Sequence, residues 1–172
     1  MKIGIDVRIE ETAVIRRPDF IEIGNHVSID VGCYISVRAK IGDYIHISPY
    51  VCIIGGADAT LIMEDFTGIS AGSKLVVLGD DFTKGLINPT VPIKYRYPVG
   101  GEIIMRRFAT VGVNSVVMPG VEMAEGSVLG ANSLLTKNTV PWTIYGGSPA
   151  RAVGFRDKKE ILESAKEMGY DI

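Results

Sequence analysis

Histidine, cysteine and tryptophan are scarce in this 172-residue chain, with two, two and one copies respectively. His26 and His46 alone cannot supply a three-histidine zinc centre. Cys33 and Cys52 are too few for the disulfide framework of a small secreted domain. Their places in the pattern described below suit packing in a reduced, cytoplasmic protein. Charge of one sign is lacking too. The 18 Lys and Arg against 20 Asp and Glu leave a net charge of -2, which offers no basic field for a nucleic acid. No apolar run reaches the ~20 residues of a membrane span. The opening MKIGIDVRIEE carries acids where a secretory leader needs an apolar core. With 47% hydrophobic and 22% charged residues, the composition is that of one globular domain.

What the chain has in abundance is a six-residue rhythm of aliphatic residues. Ile23, Ile29, Ile35, Ile41, Ile47 and Ile53 are evenly spaced, and Met105, Val111, Val117, Met123, Leu129 and Leu135 repeat the step. Met63, Ile69 and Leu75 keep it between the two runs, and Ile3, Ile9 and Ile15 precede them. Neither helix period nor strand alternation puts residues six apart on one face over such a length. A coiled ribbon does, if each hexad gives one short strand and one corner and three hexads close a triangular turn. The fifth hexad position also turns inward near a crowded corner and is small or β-branched, as at Val27, Cys33, Ala39, Val51, Ala57, Thr67, Ser73, Ser115 and Ser127. Glycine follows the aliphatic residue at Gly4, Gly24, Gly42, Gly112 and Gly130. The pattern predicts an all-β fold, a left-handed parallel β-helix built as a hexapeptide-repeat solenoid.

The rhythm breaks in three places. Small insertions fall around Arg16 to Phe20 and Gly55 to Thr60, and a long excursion runs from Gly79 to Ile103. A loop of that length in a compact domain is functional or disordered, and its Phe82, Leu86, Ile87, Tyr95 and Tyr97 predict that it packs on something. After Thr139 the hexads end, and Asp157 is placed to cap a short amphipathic α-helix through about Glu167. We take residues 1–154 as the β-helix domain carrying loop 79–103, and 155–172 as a C-terminal helix packing on or beside the coil and closing its open end.

Stacking three hexads per turn puts Ile29, Ile47, Ile69, Val111 and Leu129 on one face, with Ser48, Gly68, Ser70, Gly112, Gly130, His46 and Thr110 pointing outward beside them. Such a strip of glycine and serine leaves backbone groups accessible to a long, thin ligand such as a pantetheine arm. Lys137, Arg151, Arg156, Lys158 and Lys159 crowd its C-terminal end, able to meet phosphates, and His46 marks the other.

With these hexads, the single long loop and the closing segment VGVNSVVMPGVEMAEGSVLGANSLLTKNTVPWTIYGGSPARAVG, the chain resembles the hexapeptide-repeat acyltransferases. Within them it is most similar to the sugar O- and N-acetyltransferases of cell-surface polysaccharide (lipopolysaccharide-type) biosynthesis. The resemblance implies a homotrimer, acetyl-CoA as acyl donor with no metal, and a sugar or nucleotide-sugar acceptor near the long loop. Galactoside and maltose acetyltransferases carry a helical N-terminal extension and a histidine in or near the loop, both missing here. The γ-class carbonic anhydrases need three histidines, which this chain lacks.

Acyl transfer needs a nucleophile, a proton acceptor and donors to the oxyanion. His46 is the imidazole positioned for the base, with Asp81 as an assisting carboxylate. Asp80, Asn88, Lys94, Tyr95 and Arg96 are loop candidates for the acceptor. Gly112, Gly130 and Ala131 are candidate backbone donors to the CoA, and Lys137, Arg151 and Lys158 its phosphate partners. The favoured reading is acetyl transfer to an amino sugar or nucleotide-linked sugar. O-acetylation of a galactoside or glycan, and a non-catalytic scaffold, stay open beside it.

Overall fold

The computed structural model describes residues 1–172. The hexads wind into a left-handed parallel β-helix of triangular section. Face 1 stacks Lys2–Ile3, Ile21–Ile23, Arg38–Ile41, Thr60–Met63, Glu102–Met105 and Glu122–Met123. Face 2 stacks Arg8–Ile9, Ser28–Ile29, His46–Ile47, Gly68–Ile69, Thr110–Val111 and Val128–Leu129. Face 3 stacks Val14–Ile15, Tyr34–Ile35, Cys52–Ile54, Lys74–Val76, Val116–Val117 and Leu134–Leu135. The register on face 2 aligns Ile29, Ile47, Ile69, Val111 and Leu129, the column expected from the hexad count. The aliphatic columns from the second coil onward form one continuous buried core.

Small inward residues earn their places through hydrogen bonds. At the corner between faces 2 and 3, the Ser73 hydroxyl donates to Gly112 O and accepts from Ser115 N. The Ser115 hydroxyl donates to Gly130 O and accepts from Ser133 N. A column of buried serines therefore satisfies corner backbone groups that no strand pairs. The insertion near Gly55 shifts one inward position: Ala59, not Ala57, is buried, and Ala57 faces solvent. The four extra residues widen that corner before the chain rejoins face 1.

The corner between faces 1 and 2 carries an aromatic ladder. His26, Tyr44, Phe66, Phe108 and Trp142 all sit at left-handed φ between 55° and 64°, and their rings follow one another at 4.5, 5.4, 5.2 and 5.9 Å. Left-handed backbone costs a bulky residue about 1–2 kcal/mol, and each ring contact returns about 0.5–1.5 kcal/mol. The C-terminal helix, α1 (Lys159–Glu167), lies along this corner rather than over the open end, with Ala165 buried. Asp157 accepts from Lys159 N at 3.0 Å in a turn just ahead of the helix, whose N-cap is Lys158 rather than Asp157. The helix settles here because Phe66 and Phe108 offer its apolar stripe a surface along the solenoid. The open end is closed instead by a hairpin, Thr143–Gly147 with Ala150–Phe155, which adds two strands to face 2.

Beyond α1, Tyr170 packs edge-on against Tyr44 and Phe66, and its hydroxyl donates to Asp43 at 2.8 Å. Burial and the hydrogen bond to Asp43 push the phenol up to about 12. Its folded value lies above the ordinary one of about 10, so the stabilisation is complete below pH ~10 and is lost as pH rises toward 12. An absorbance titration is expected to show one of the seven tyrosines ionising last, and Tyr170→Phe should remove that late step.

The long excursion leaves face 3 after Val77 as an arm whose base is an antiparallel pair, Leu78–Asp80 with Pro98–Gly100. Face 1 resumes at Glu102.

Candidate functional site

On face 2 the outward residues align as Ser28, His46, Gly68, Thr110, Val128 and Ile144. His46 projects from the third coil. Its Nε2 lies 2.7 Å from Asp30 Oδ2, and Asp30 also accepts the Ser28 hydroxyl at 2.9 Å with the Arg8 guanidinium 3.5 Å away. Burial raises the Asp30 carboxyl, but the bonds from His46 and Ser28 and the nearby charges outweigh it and hold the group below the usual carboxylate range. A permanent carboxylate fixes the imidazole with its proton on Nε2, which leaves the Nδ1 lone pair free to accept a proton. His46, Ser28 and Arg8, with Asp6, His26 and Tyr44, line a cleft of about 430 Å³. His26 bonds Asp6 through Nδ1 at 2.9 Å and stacks on Tyr44, so it belongs to the ladder.

The glycines above His46 divide into two kinds. A Cβ at Gly68 would find only His46 O, at an ordinary 3.7 Å, so packing does not require glycine there and its bareness keeps the strip open. Gly68→Val is expected to leave stability within about 0.5 kcal/mol while raising the KM for the acyl donor. A Cβ at Gly112 would meet backbone atoms at 2.7 Å, and one at Gly130 would sit 3.2 Å from Tyr145 O. Their amides already donate to Leu129 O and Tyr145 O, both at 2.7 Å. The expectation that Gly112 and Gly130 supply free donors is therefore corrected: both amides are engaged, and Gly112 is needed for close stacking of coils. The amide of Ala131, an exposed residue at the same corner as Gly130, makes no bond within the chain.

Lys137 and Arg151 meet at the C-terminal end, where they line a recess of about 250 Å³ with Asn138, Tyr145, Ala150 and Leu135. Lys158 is not part of it, because the chain has by then crossed to the aromatic corner and Lys158 precedes α1.

The loop residues are mostly engaged with one another. Arg96 Nε and Nη2 donate to the two oxygens of Asp80 at 3.1 and 2.9 Å, a paired fork buried at the base of the arm. The Asn88 side chain accepts from Thr90 N and its hydroxyl, closing a turn. Lys94 lies over the Tyr95 ring at 4.7 Å, and both stay exposed. Asp81 accepts from the Thr83 hydroxyl and amide, which hold its carboxyl low. In this chain Asp81 forms the turn that starts the arm. It shares no cleft with His46 in one chain, because the arm leaves from the corner between faces 3 and 1.

Sequence reasoning missed Asp30, the partner that orients His46. The signal was available in its spacing: Asp30 sits one outward step past Ser28, the residue stacked directly on His46. The closing hairpin was also missed, since its strands follow no hexad.

No protein-family model matches the chain. Among curated proteins it is similar to the dTDP-4-amino-4,6-dideoxy-D-glucose acyltransferase of Escherichia coli, 32% identical over 94% of this chain and 86% of that protein. Among solved structures it is similar to AntD, an N-acyltransferase from Bacillus cereus in complex with dTDP and 3-hydroxybutyryl-CoA. That pair is 34% identical, with a TM-score of 0.92 over 98% of this chain and 92% of that one. A variant of AntD in complex with dTDP-4-amino-4,6-dideoxyglucose and coenzyme A superposes at a TM-score of 0.93, with 32% identity over 98% of this chain and 90% of that one.

Proposed function

Since the chain belongs to the hexapeptide-repeat sugar acyltransferases, we propose that it moves an acetyl or related short acyl group from an acyl-CoA to the amine of a nucleotide-linked amino sugar. The observation that carries this reading is the pairing of His46 with Asp30 beside the open Gly68 position on face 2, together with the recess of Lys137 and Arg151 at the C-terminal end of the coil. From the His46 layer to the Ile144 layer is four strand spacings, about 19 Å at 4.8 Å each. That is the reach of roughly five or six extended residues, enough for a pantetheine arm between its thioester and its phosphates.

The neutral amine attacks the thioester carbonyl, the C–S bond breaks as the tetrahedral species collapses, and coenzyme A leaves as its thiol. His46 Nδ1 takes the amine proton and passes it to the departing sulfur, while Asp30 offsets the charge on the imidazolium. Ala131 N–H is the free donor for the donor's amide groups. Lys137 and Arg151 take the phosphates as charge-assisted donors. Asp80, Asn88, Lys94, Tyr95 and Arg96 shape the acceptor end of the site from a neighbouring subunit. A homotrimer is favoured because one chain keeps its arm away from its own face 2, while face 3 presents Tyr34, Val116 and Leu134 outward. The free thiols Cys33 and Cys52 fit a reducing cytoplasm, and no helix is long and apolar enough to cross a membrane. The product would feed surface-polysaccharide assembly.

The test is thiol release with matched acceptors: dTDP-4-amino-4,6-dideoxyglucose, its 4-hydroxy counterpart and a simple galactoside. Turnover of the amino sugar alone is expected, and turnover confined to the galactoside overturns the proposal. By calorimetry, Arg151→Ala should weaken coenzyme A binding roughly tenfold, one exposed charge-assisted bond being worth about 1.4 kcal/mol. Lys158→Ala should leave binding unchanged.

A further inference from the structure

The solenoid is sealed at one end and bare at the other. Ile3, Ile9 and Ile15 begin the three aliphatic columns, yet Ile3 is 50% exposed and the other two are only half-buried, whereas Ile23, Ile29 and Ile35 one coil further are at most 5% exposed. The strands Lys2–Ile3, Arg8–Ile9 and Val14–Ile15 are paired on one side only. Open strand edges around exposed core positions are what a soluble solenoid has to cover.

The charges around this end indicate the cover. Glu10 and Glu11 occupy the corner between faces 2 and 3, and Arg16 and Arg17 follow Val14–Ile15 at the corner between faces 3 and 1. Glu11 and Arg16 are exposed and make no ion pair within the chain. A two-fold axis through the middle of face 3, at right angles to the solenoid axis, exchanges these two corners. It sets the acids of one copy on the bases of the other. It also lays Val14–Ile15 antiparallel to its own copy and closes the bare isoleucine ends on each other. An axis through face 1 would instead put Glu10 and Glu11 on themselves, and one through face 2 would put them against the corner of Asp6.

We propose that a second copy of this chain docks end to end on the first coil, two-fold related through face 3. The contact buries the exposed core residues Ile3, Ile9 and Ile15, which the face 2 chemistry does not use, and it doubles whatever assembly the other faces form. Sedimentation equilibrium of the full chain at low salt tests it. Arg16→Glu should halve the mass of the wild type, and Glu11→Arg combined with Arg16→Glu should restore it, because the swap re-forms the pair with reversed signs. Equal masses for the wild type and Arg16→Glu, or a double variant that stays at half mass, overturn the proposal.

Discussion

His46→Ala is expected to lower kcat for acyl transfer by roughly 10²–10⁴-fold, the usual contribution of a positioned acid–base group, with coenzyme A affinity unchanged. Coenzyme A affinity should hold because the phosphate recess around Lys137 and Arg151 lies about four coils away. Asp30→Asn separates chemistry from structure. The amide can still accept from Nε2–H but cannot offset the imidazolium, so kcat should fall by less than in His46→Ala, with KM little changed. Asp30 is held below the ordinary carboxylate range, so its stabilising bonds are present above about pH 4 and are lost as pH falls through the folded value. The pair is therefore intact across the neutral range in which activity would be measured. Unchanged kcat in the His46→Ala enzyme would show that the sugar amine needs no protein base, and would remove His46 from the chemistry.

The fold was legible because a β-helix writes its register into the chain: a residue six positions on lies on the next face, and every inward position is constrained. The column Ile29, Ile47, Ile69, Val111, Leu129 follows from counting alone, and so do the outward neighbours that place His46 below Gly68. Interruptions carry no such count. Ala59 replaces Ala57 as the inward residue because sequence says how many residues an insertion has and not where the coil resumes. The site was half legible for the same reason. His46 and the cluster of Lys137 with Arg151 sit in or beside regular hexads and could be placed. Asp80, Asp81 and Arg96 lie on the arm, where hydrogen bonds among neighbours decide whether a carboxylate is free. There Asp80 turns out to be forked to Arg96 and Asp81 bound to Thr83. Composition could not distinguish the two kinds of glycine either. Gly68 precedes Ile69 and Gly112 follows Val111, and the distance to the next coil shows which of the two is open surface and which tight stacking.

Ile69→Ala is expected to be the most damaging of the conservative core changes. Ile69 is 1% exposed and lies between Ile47 and Val111, both fully buried, in the middle of the face 2 column. Removing its three outer carbons leaves a cavity that the neighbouring coils cannot fill, because their backbones are fixed to one another by the parallel ladders on all three faces. Truncations of this kind cost about 2–5 kcal/mol, and at this chain length each kcal/mol lowers Tm by about 2–4 °C. A fall of roughly 5–20 °C should follow in a thermal melt. Ser115→Ala is the informative comparison. It removes almost no apolar area but leaves Ser133 N without its acceptor and Gly130 O without a donor, and is expected to lower stability by about 1–3 kcal/mol. A solenoid couples each coil only to its neighbours, so both losses should open the stack near its centre. Protection from hydrogen exchange should then drop first in the coils on either side of Gly68–Ile69, while the hairpin at Thr143–Gly147 stays protected. Uniform loss of protection along the whole chain would instead mean that the coils unfold as one unit and that the corner hydrogen bonds couple them more strongly than nearest-neighbour stacking allows.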